Sequence, residues 1–369
     1  MYLELKQSIW RNKKGQIQGV DFALAMVIFM IMFAEVIVLS LSYIEPKFQN
    51  LDDQAFQSQA DQISETFFGS AGYPSYWEYN LTSQFHSFGL REVGTTNLDA
   101  NKISRINSQS LYHLSYNSLK ANLSQERSFG FQLAIEALFE VNTTFSLTIP
   151  SSSISVTTSI GDCDIWTFLV GPNSTVWYTS RGVTDSSGLL VNTFPLTEVP
   201  NGFYTIVIFA KSMEGQYAVD VKNAVLGSET DMGLKLLVQE QENNNGIAEI
   251  TTENVGGLTS LTAINLFPYK TGEDSNGNEL VTVLSPTANE VLNVRMPVNG
   301  TCVTLLTGDN GAGGYSRKYY VFPSELSNKF GTVYGDDILP VDIQLFKTER
   351  IVIMRECMFK AVFYVWSEL

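Results

Sequence analysis

The residues that most often carry enzymatic or metal chemistry are scarce in this chain. His86 and His113 are the only histidines among 369 residues, so a histidine-rich metal site and the H-E-x-x-H motif of zinc proteases are excluded. The nucleophile motif G-x-S-x-G and the phosphate-binding Walker motif are absent as well. We therefore predict a protein without enzymatic activity, metal or cofactor. The alternative is an extracellular hydrolase whose acidic residues pair across strands.

Three short segments gather oxygen ligands or glycine. Residues 273–279 place carboxylate and amide side chains at alternate positions, which fits a calcium loop or an Asn-Gly hairpin turn. Asp336 and Asp337 fit a solvated turn or a pair of catalytic acids. Residues 308–314 are rich in glycine but lack the following Lys-Ser or Lys-Thr, so we expect a surface loop rather than a phosphate cradle.

Cysteine and glycosylation motifs bear on the compartment. Cys163, Cys302 and Cys357 show no C-x-x-C spacing, so they are either three small buried side chains or include one disulfide, for which we choose Cys302 with Cys357. The N-x-S/T sequons, which permit N-glycosylation, begin at Asn80, Asn122, Asn142, Asn173 and Asn299.

Charge is distributed unevenly along the chain. The formal net charge is −15, yet residues 1–15 contain four basic side chains and only one acidic side chain. No basic run interleaved with aromatic residues follows, which argues against a nucleic-acid partner. An acidic, solvated exterior is predicted for the rest of the chain.

One apolar segment is long enough to cross a membrane. Residues 20–44 would span about 37 Å as a helix. Basic residues are concentrated on its N-terminal side, with four in residues 1–15 against Lys47 alone in residues 45–90, which orients residues 1–15 to the cytoplasm and the remaining body to the outside. We predict a single-pass cell-membrane protein whose body is extracellular, with membrane lipid as a partner.

Two acids lie in or beside this apolar segment. Asp21 is near the cytoplasmic interface, where it either docks a neighbouring subunit or meets water. Glu35 falls near the middle of the membrane, where an ionised carboxylate is costly. It is therefore either a contact between helices of an oligomer or a lone protonated acid.

A processing motif precedes the apolar segment. Residues 12–17 read NKKGQI, and this charged patch ending in glycine resembles the class III signal peptide of archaeal type IV pilins and archaellins. The resemblance implies that a prepilin peptidase cuts between Gly15 and Gln16 and leaves the apolar helix on a mature, pilin-like protein. It also implies homo- or hetero-oligomers of pilin-like subunits.

The segment after the apolar helix carries three further motifs. A G-x-P-x-x-W loop at 72–77, an F-G-L at 88–90 and an L-D-x-x-K helix start at 98–102 resemble the membrane-proximal region of archaeal pilin-like proteins. Residues 45–68 are expected to continue as a helical stalk. Asn97 or Asp99 can cap a helix to about Lys120. The loop aromatics either pack beneath that helix or form a platform for sugars.

Alternating apolar residues dominate from residue 129 onward. They predict short strands, and the segments 184–211 and 253–306 resemble Ig-like modules and the heads of archaeal pilins. The predicted fold is mainly β, with a long N-terminal transmembrane α-helix and two Ig-like or pilin-head-like β-sandwiches. The predicted bounds are a leader at 1–15, helix and stalk at 16–68, a membrane-proximal region at 69–128, and sandwiches at 129–226 and 227–369, the latter including the C-terminal strands.

The function that these features predict is structural rather than catalytic. We expect a pilin-like, membrane-anchored surface protein for adhesion or for assembly of a surface structure. The alternative is a signal-anchored extracellular protein that binds carbohydrate or peptide and has no filament role.

Overall fold

The computed structural model describes the chain in a series of segments. These are residues 2–79, 85–108, 110, 112–123, 129–172, 175–227, 234–239, 247–254, 260–268, 279–284, 290–295, 301–309, 315–327, 332–337, 345–355 and 357–367. The chain forms two compact units, Met1–Ala60 and Asp61–Leu369.

Helices occupy the N-terminal third. The α-helices are α1 (Tyr2–Gly69), α2 (Ala100–Ile106) and α3 (Tyr116–Leu123), and short 3-10 helices span Trp77–Tyr79 and Ser324–Leu326. The predicted helical stalk is thus part of α1.

The remainder is built from antiparallel strands. They are β1 (Phe129–Ala137), β2 (Val141–Ser146), β3 (Ser151–Thr158), β4 (Asp164–Val170), β5 (Val176–Val183), β6 (Leu189–Pro195), β7 (Gly202–Lys211), β8 (Tyr217–Leu226), β9 (Leu234–Gln239), β10 (Ile247–Asn254), β11 (Ser260–Leu266), β12 (Glu279–Leu284), β13 (Glu290–Arg295), β14 (Cys302–Asp309), β15 (Tyr315–Phe322), β16 (Thr332–Gly335), β17 (Leu345–Met354) and β18 (Cys357–Ser367).

A four-stranded sheet in the order β16-β1-β18-β17 forms what we call the base sheet. β1 pairs with β18 along its whole length, from Phe129 opposite Ser367 to Ala137 opposite Phe359. The last turns of α1 pack on this sheet through Phe67. The ring of Phe67 lies 5.2 Å from that of Phe131 in β1. An aromatic core therefore joins the end of α1 to the base sheet.

The first sandwich consists of two sheets in the orders β2-β3-β6 and β5-β4-β7-β8. One core lies between them, with Ile154 and Val156 from the first sheet and Ile165, Ile206 and Ile208 from the second. Alternation of apolar residues explains the buried face of β3. Nine of the ten residues of β7 are buried, as expected for a central strand covered on both faces.

The second β region, 234–322, also contains two sheets, in the orders β13-β10-β9 and β12-β11-β14-β15. Leu261, Ile264 and Val303 are buried in the second of these sheets. The predicted fold class is confirmed, since the chain is mainly β, with a long N-terminal helix and β-sandwich domains.

Strand pairing places the two ends of the β body together. The predicted bounds put β1 in the first sandwich and β17 and β18 in the second, but these strands are hydrogen-bonded in one sheet. Both sandwiches are therefore insertions between β1 and β16. The predicted domain bounds otherwise stay a prediction.

The predicted helix from Asp99 to Lys120 is interrupted. Asp99 caps α2 as expected, but α2 ends at Ile106 and a second helix begins at Tyr116. The side-chain amide of Asn107 donates to Ser324 Oγ at 3.0 Å, a contact with a residue far along the chain. This tertiary contact lies just after the end of α2, and local periodicity does not predict that the helix ends there.

Candidate functional site

The apolar part of α1 presents a hydrophobic surface that only Glu35 interrupts with a charge. Residues Phe22–Ser40 form a stretch of 19 residues with a mean hydropathy of 2.8, which is long and apolar enough to cross a membrane. All side chains from 22 to 40 are exposed in the structure. Such a surface is unfavourable in water and favourable in a lipid or protein environment.

Glu35 lies on this surface and is exposed. It is the one charged residue within Phe22–Ser40, so its environment decides whether it is an assembly contact. The helix α1 includes Gly15, Gln16 and Asp21, but the surroundings of these three residues are outside what the structure describes. Processing between Gly15 and Gln16 stays a prediction, as do the assembly roles of Asp21 and Glu35.

Two of the sequon asparagines are described, and both are exposed. Asn122 lies on α3, where its amide donates to the Ser118 carbonyl at 2.7 Å, and Asn142 lies on β2. Asn80, Asn173 and Asn299 lie outside the described residues. Glycosylation at any of the five sites stays a prediction.

The three cysteines are buried thiols. Cys302 begins β14 and Cys357 begins β18, two strands of different sheets. The predicted Cys302–Cys357 bridge is absent from this structure and stays a prediction for the exported protein. Each thiol meanwhile occupies a packed position, which fits the reading of small buried side chains.

The oxygen-rich segments do not converge on a described site. Asp336 and Asp337 are exposed, as a solvated turn requires. Of the candidate calcium loop, residues 273–278 lie outside the described residues, and Glu279 begins β12. Residues 310–314 of the glycine-rich segment are also outside them.

Lys102 is the point at which the three membrane-proximal motifs meet. Its Nζ donates hydrogen bonds of 2.9 Å to the carbonyls of Ala71 and Arg91. Trp77 Nε1 donates to the Gly89 carbonyl at 3.0 Å, which ties the aromatic loop to the F-G-L segment. The spacing of the motifs thus places one buried ammonium where it holds two loops against α2.

Two acids accompany this buried ammonium. Glu78 Oε2 lies 3.9 Å and Asp99 Oδ2 lies 4.0 Å from Lys102 Nζ. Asp99 Oδ1 also accepts from the backbone amide of Asn101 at 2.9 Å, as an N-cap should. Lys102 therefore lies between a helix-capping carboxylate and a carboxylate of the aromatic loop.

The carboxyl group of Glu78 is the most perturbed member of this cluster. It is 4% exposed, and its two oxygens accept no hydrogen bond within the part of the chain that the structure describes. Burial raises the pKa of Glu78 to about 7, and the negative charge of Asp99 adds to the rise, whereas Lys102 and Arg105 oppose it. Burial also lowers the pKa of Lys102. The cluster is thus a buried charge site whose protonation can change near neutral pH.

The aromatic loop divides into a buried and an exposed part. Trp77 is 2% exposed and packs on Phe88, with 5.3 Å between the ring centroids. Tyr73 and Tyr76 are 63% and 61% exposed, and Tyr79 is 45% exposed. Trp77 is therefore packed in the interior, as one of the two predicted alternatives requires, while the three tyrosines lie on the surface.

Arg317, in β15, is a buried cation whose contacts the sequence does not predict. Its guanidinium donates to the carbonyls of Val170 at 3.1 Å, Gly171 at 2.8 Å and Phe203 at 3.1 Å, all in the first sandwich. Its Nε donates to Thr307 Oγ1 at 2.9 Å. Burial lowers the pKa of Arg317 to about 10. A single arginine in a strand gives no sequence signal for this contact between the two β regions.

Comparison with known proteins gives only distant likenesses. No protein-family model matches the chain. No curated protein sequence matches it either. A tetra-tandem repeat from the extending region of a large adhesion protein shares 14% identity over 51% of this chain and 49% of that chain, with a TM-score of 0.20. This chain therefore spans about half the length of that structure.

Two further solved structures are similar to the same extent. A two-domain fibronectin type III segment of chicken tenascin shares 10% identity over 51% of this chain and 98% of that chain, with a TM-score of 0.19. A structure of a 1.5-MDa bacterial ice-binding adhesin shares 11% identity over 50% of this chain and 64% of that chain, with a TM-score of 0.20. Likenesses at these TM-scores carry no argument about function.

Proposed function

We propose that the chain is a non-enzymatic, membrane-anchored surface protein whose β body mediates adhesion or the assembly of a surface structure. The observation that carries this proposal is the exposed apolar stretch Phe22–Ser40 of α1. An exposed surface of this length and composition is stable when lipid replaces water around it. The two β regions then form the part of the protein that meets external partners.

The orientation of the anchor follows from charge. Four basic residues precede the apolar stretch, within residues 1–15, and the body that follows is strongly acidic. Retention of basic residues on the cytoplasmic side would place the β body outside the cell. Exposure of the Asn122 and Asn142 sequons is compatible with that placement.

The finer part of the proposal is pilin-type biogenesis. It is supported by the glycine at position 15, which lies after Lys13 and Lys14 and just before the apolar helix. Cleavage there would leave a mature protein that begins at Gln16 and keeps its anchor. Glu35 would then be available to contact a neighbouring anchor helix within the membrane.

Surface shaving tests the proposed topology. An epitope tag at the C-terminus is followed on intact cells treated with an external protease, and a tagged cytoplasmic protein of the same cells serves as the control. We expect loss of the C-terminal tag from intact cells, while the cytoplasmic control is protected until the cells are opened. Protection of the C-terminal tag on intact cells, or release of the whole protein from membranes by high salt, would contradict membrane anchoring with an external body.

A further inference from the structure

The exposed aromatic residues of this region form two pairs that we together call the tyrosine cluster: Tyr73 with His86, and Tyr76 with Tyr79. The rings of Tyr73 and His86 stack at 5.8 Å with an interplanar angle of 29°. The rings of Tyr76 and Tyr79 lie 6.5 Å apart at 39°. Three of these four rings belong to the aromatic loop, and all four are exposed.

The backbone beneath these rings is held in place. Tyr73 and Ser87 form an antiparallel bridge, in which the Tyr73 amide donates to the Ser87 carbonyl at 2.9 Å. The Tyr79 hydroxyl accepts a hydrogen bond from the side-chain amide of Asn101 at 3.3 Å. The hydrogen bonds from Trp77 to the Gly89 carbonyl and from Lys102 to the Ala71 carbonyl also hold this loop in place. A ligand would meet preorganised rings, so binding would cost little conformational entropy.

The chemistry of the cluster favours one class of ligand. Its exposed groups are aromatic faces and hydroxyls, while the acid of the same loop, Glu78, is buried. The three tyrosines expose roughly 300–400 Å² in total, whereas a standard protein interface takes about 800 Å² from each partner. Rings with polar edges instead match a sugar, whose C–H face packs on an aromatic ring while its hydroxyls bond to polar groups.

We propose that the tyrosine cluster binds a neutral glycan carried by another surface molecule. The ring faces of Tyr73 and Tyr76 stack on pyranose rings, and the tyrosine hydroxyls and the His86 imidazole bond to sugar hydroxyls. This inference rests on the proposed external placement of the body, because glycans of this kind are met outside the cell. It adds a binding surface at the aromatic loop to the adhesion role proposed for the β body.

The test uses full-length protein in a detergent without a sugar headgroup. The probe is an array of immobilised neutral oligosaccharides of glucose, mannose and galactose, with acidic glycans and unmodified peptides as comparison spots. Wild type is compared with Tyr73→Ala/Tyr76→Ala, with Tyr73→Phe/Tyr76→Phe and with the single variant Tyr76→Ala. Met213→Ala is the matched control, since Met213 is a fully solvated apolar side chain of the first sandwich.

We expect wild type to bind neutral glycans and the double alanine variant to bind about tenfold more weakly or worse. The phenylalanine variant retains the rings and should bind better than the alanine variant, and Met213→Ala should bind as wild type does. Absence of wild-type binding to every neutral glycan, equal binding by the alanine variants, or tyrosine-dependent capture of peptides alone would overturn the inference. Surface shaving that still places the body outside would then leave the proposed function intact.

Discussion

Lys102 Nζ lies 3.9 Å from Glu78 Oε2, and both side chains are buried. The ammonium group also donates hydrogen bonds to two carbonyl oxygens of separate loops, those of Ala71 and Arg91. This single contact site therefore connects the aromatic loop, the F-G-L segment and α2. It makes the membrane-proximal region one packed body rather than a set of loops.

Removal of the ammonium should destabilise this region strongly. Lys102→Met leaves the carbonyls of Ala71 and Arg91 without the ammonium donor, which should lower the free energy of unfolding by roughly 1–3 kcal/mol for each carbonyl, while Glu78 can take up a proton. Lys347→Met is the control, because the Lys347–Glu349 pair is exposed and worth little. Thermal unfolding of both variants in detergent measures the difference. Equal midpoints for Lys102→Met and Lys347→Met would contradict the role assigned to Lys102.

Glu78 should make stability depend on pH. Its pKa is about 7 in the folded protein and near 4.5 when exposed, so the folded state holds a proton that the unfolded state has released between these values. Protonated Glu78 makes its full contribution to the free energy of unfolding below about pH 4.5. This contribution, which is at most about 3 kcal/mol, is lost as the pH rises to about 7. Glu78→Gln should flatten unfolding midpoints over this window, whereas Asp336→Asn, at an exposed acid, should not. An unchanged slope in Glu78→Gln would argue against the buried acid.

Arg317 should hold the two β regions together. Arg317→Met removes the charged donor that the carbonyls of Val170, Gly171 and Phe203 share, which should lower the free energy of unfolding by roughly 1–3 kcal/mol. We expect faster hydrogen exchange where the first sandwich meets β15, and a lower unfolding midpoint. Arg181→Met is the matched control, because Arg181 is exposed and its contacts, an ion pair with Asp164 and a cation–π contact with Trp166, stay within the first sandwich. Matching exchange rates in the two variants would contradict the link.

Glu35 should favour association of the anchor helices. Replacement by leucine removes the polar group that a partner helix can satisfy in lipid, so Glu35→Leu should reduce crosslinked oligomers of the full-length protein in membranes. Glu35→Gln keeps a hydrogen-bonding group and should retain more of the crosslinked product. Met32→Leu, at another exposed position of the same stretch, is the control. Crosslinking that is identical in all three variants would remove this role.

Sequence patterns were sufficient where structure is local. The apolar run predicts the exposed part of α1, the alternation in 151–158 predicts β3, and Asp99 is predicted as a helix cap. These features depend on neighbours within one or two turns or strands. A pattern of this kind fixes its own element without knowledge of the rest of the chain.

Long-range partners were not predictable in the same way. Alternation marks β1 and β18 as strands, but it does not say that they pair with each other, since any strand of matching length could serve. The burial of Arg317 and Glu78 was unpredictable for the same reason, because each is enclosed by segments distant in the chain. The α2 helix ends where Asn107 contacts Ser324, which no local pattern encodes.

The N-terminus of the protein isolated from its native membrane tests the central claim most directly. Mass spectrometry of the intact protein, with fragmentation of its first residues, distinguishes processing from an uncut signal anchor. The account predicts a mature chain that starts at Gln16 and still contains the apolar stretch Phe22–Ser40 in the membrane fraction. A chain that begins at Met1 would contradict pilin-type processing, and one cut after Ser40 and released from the membrane would contradict the membrane anchor as well.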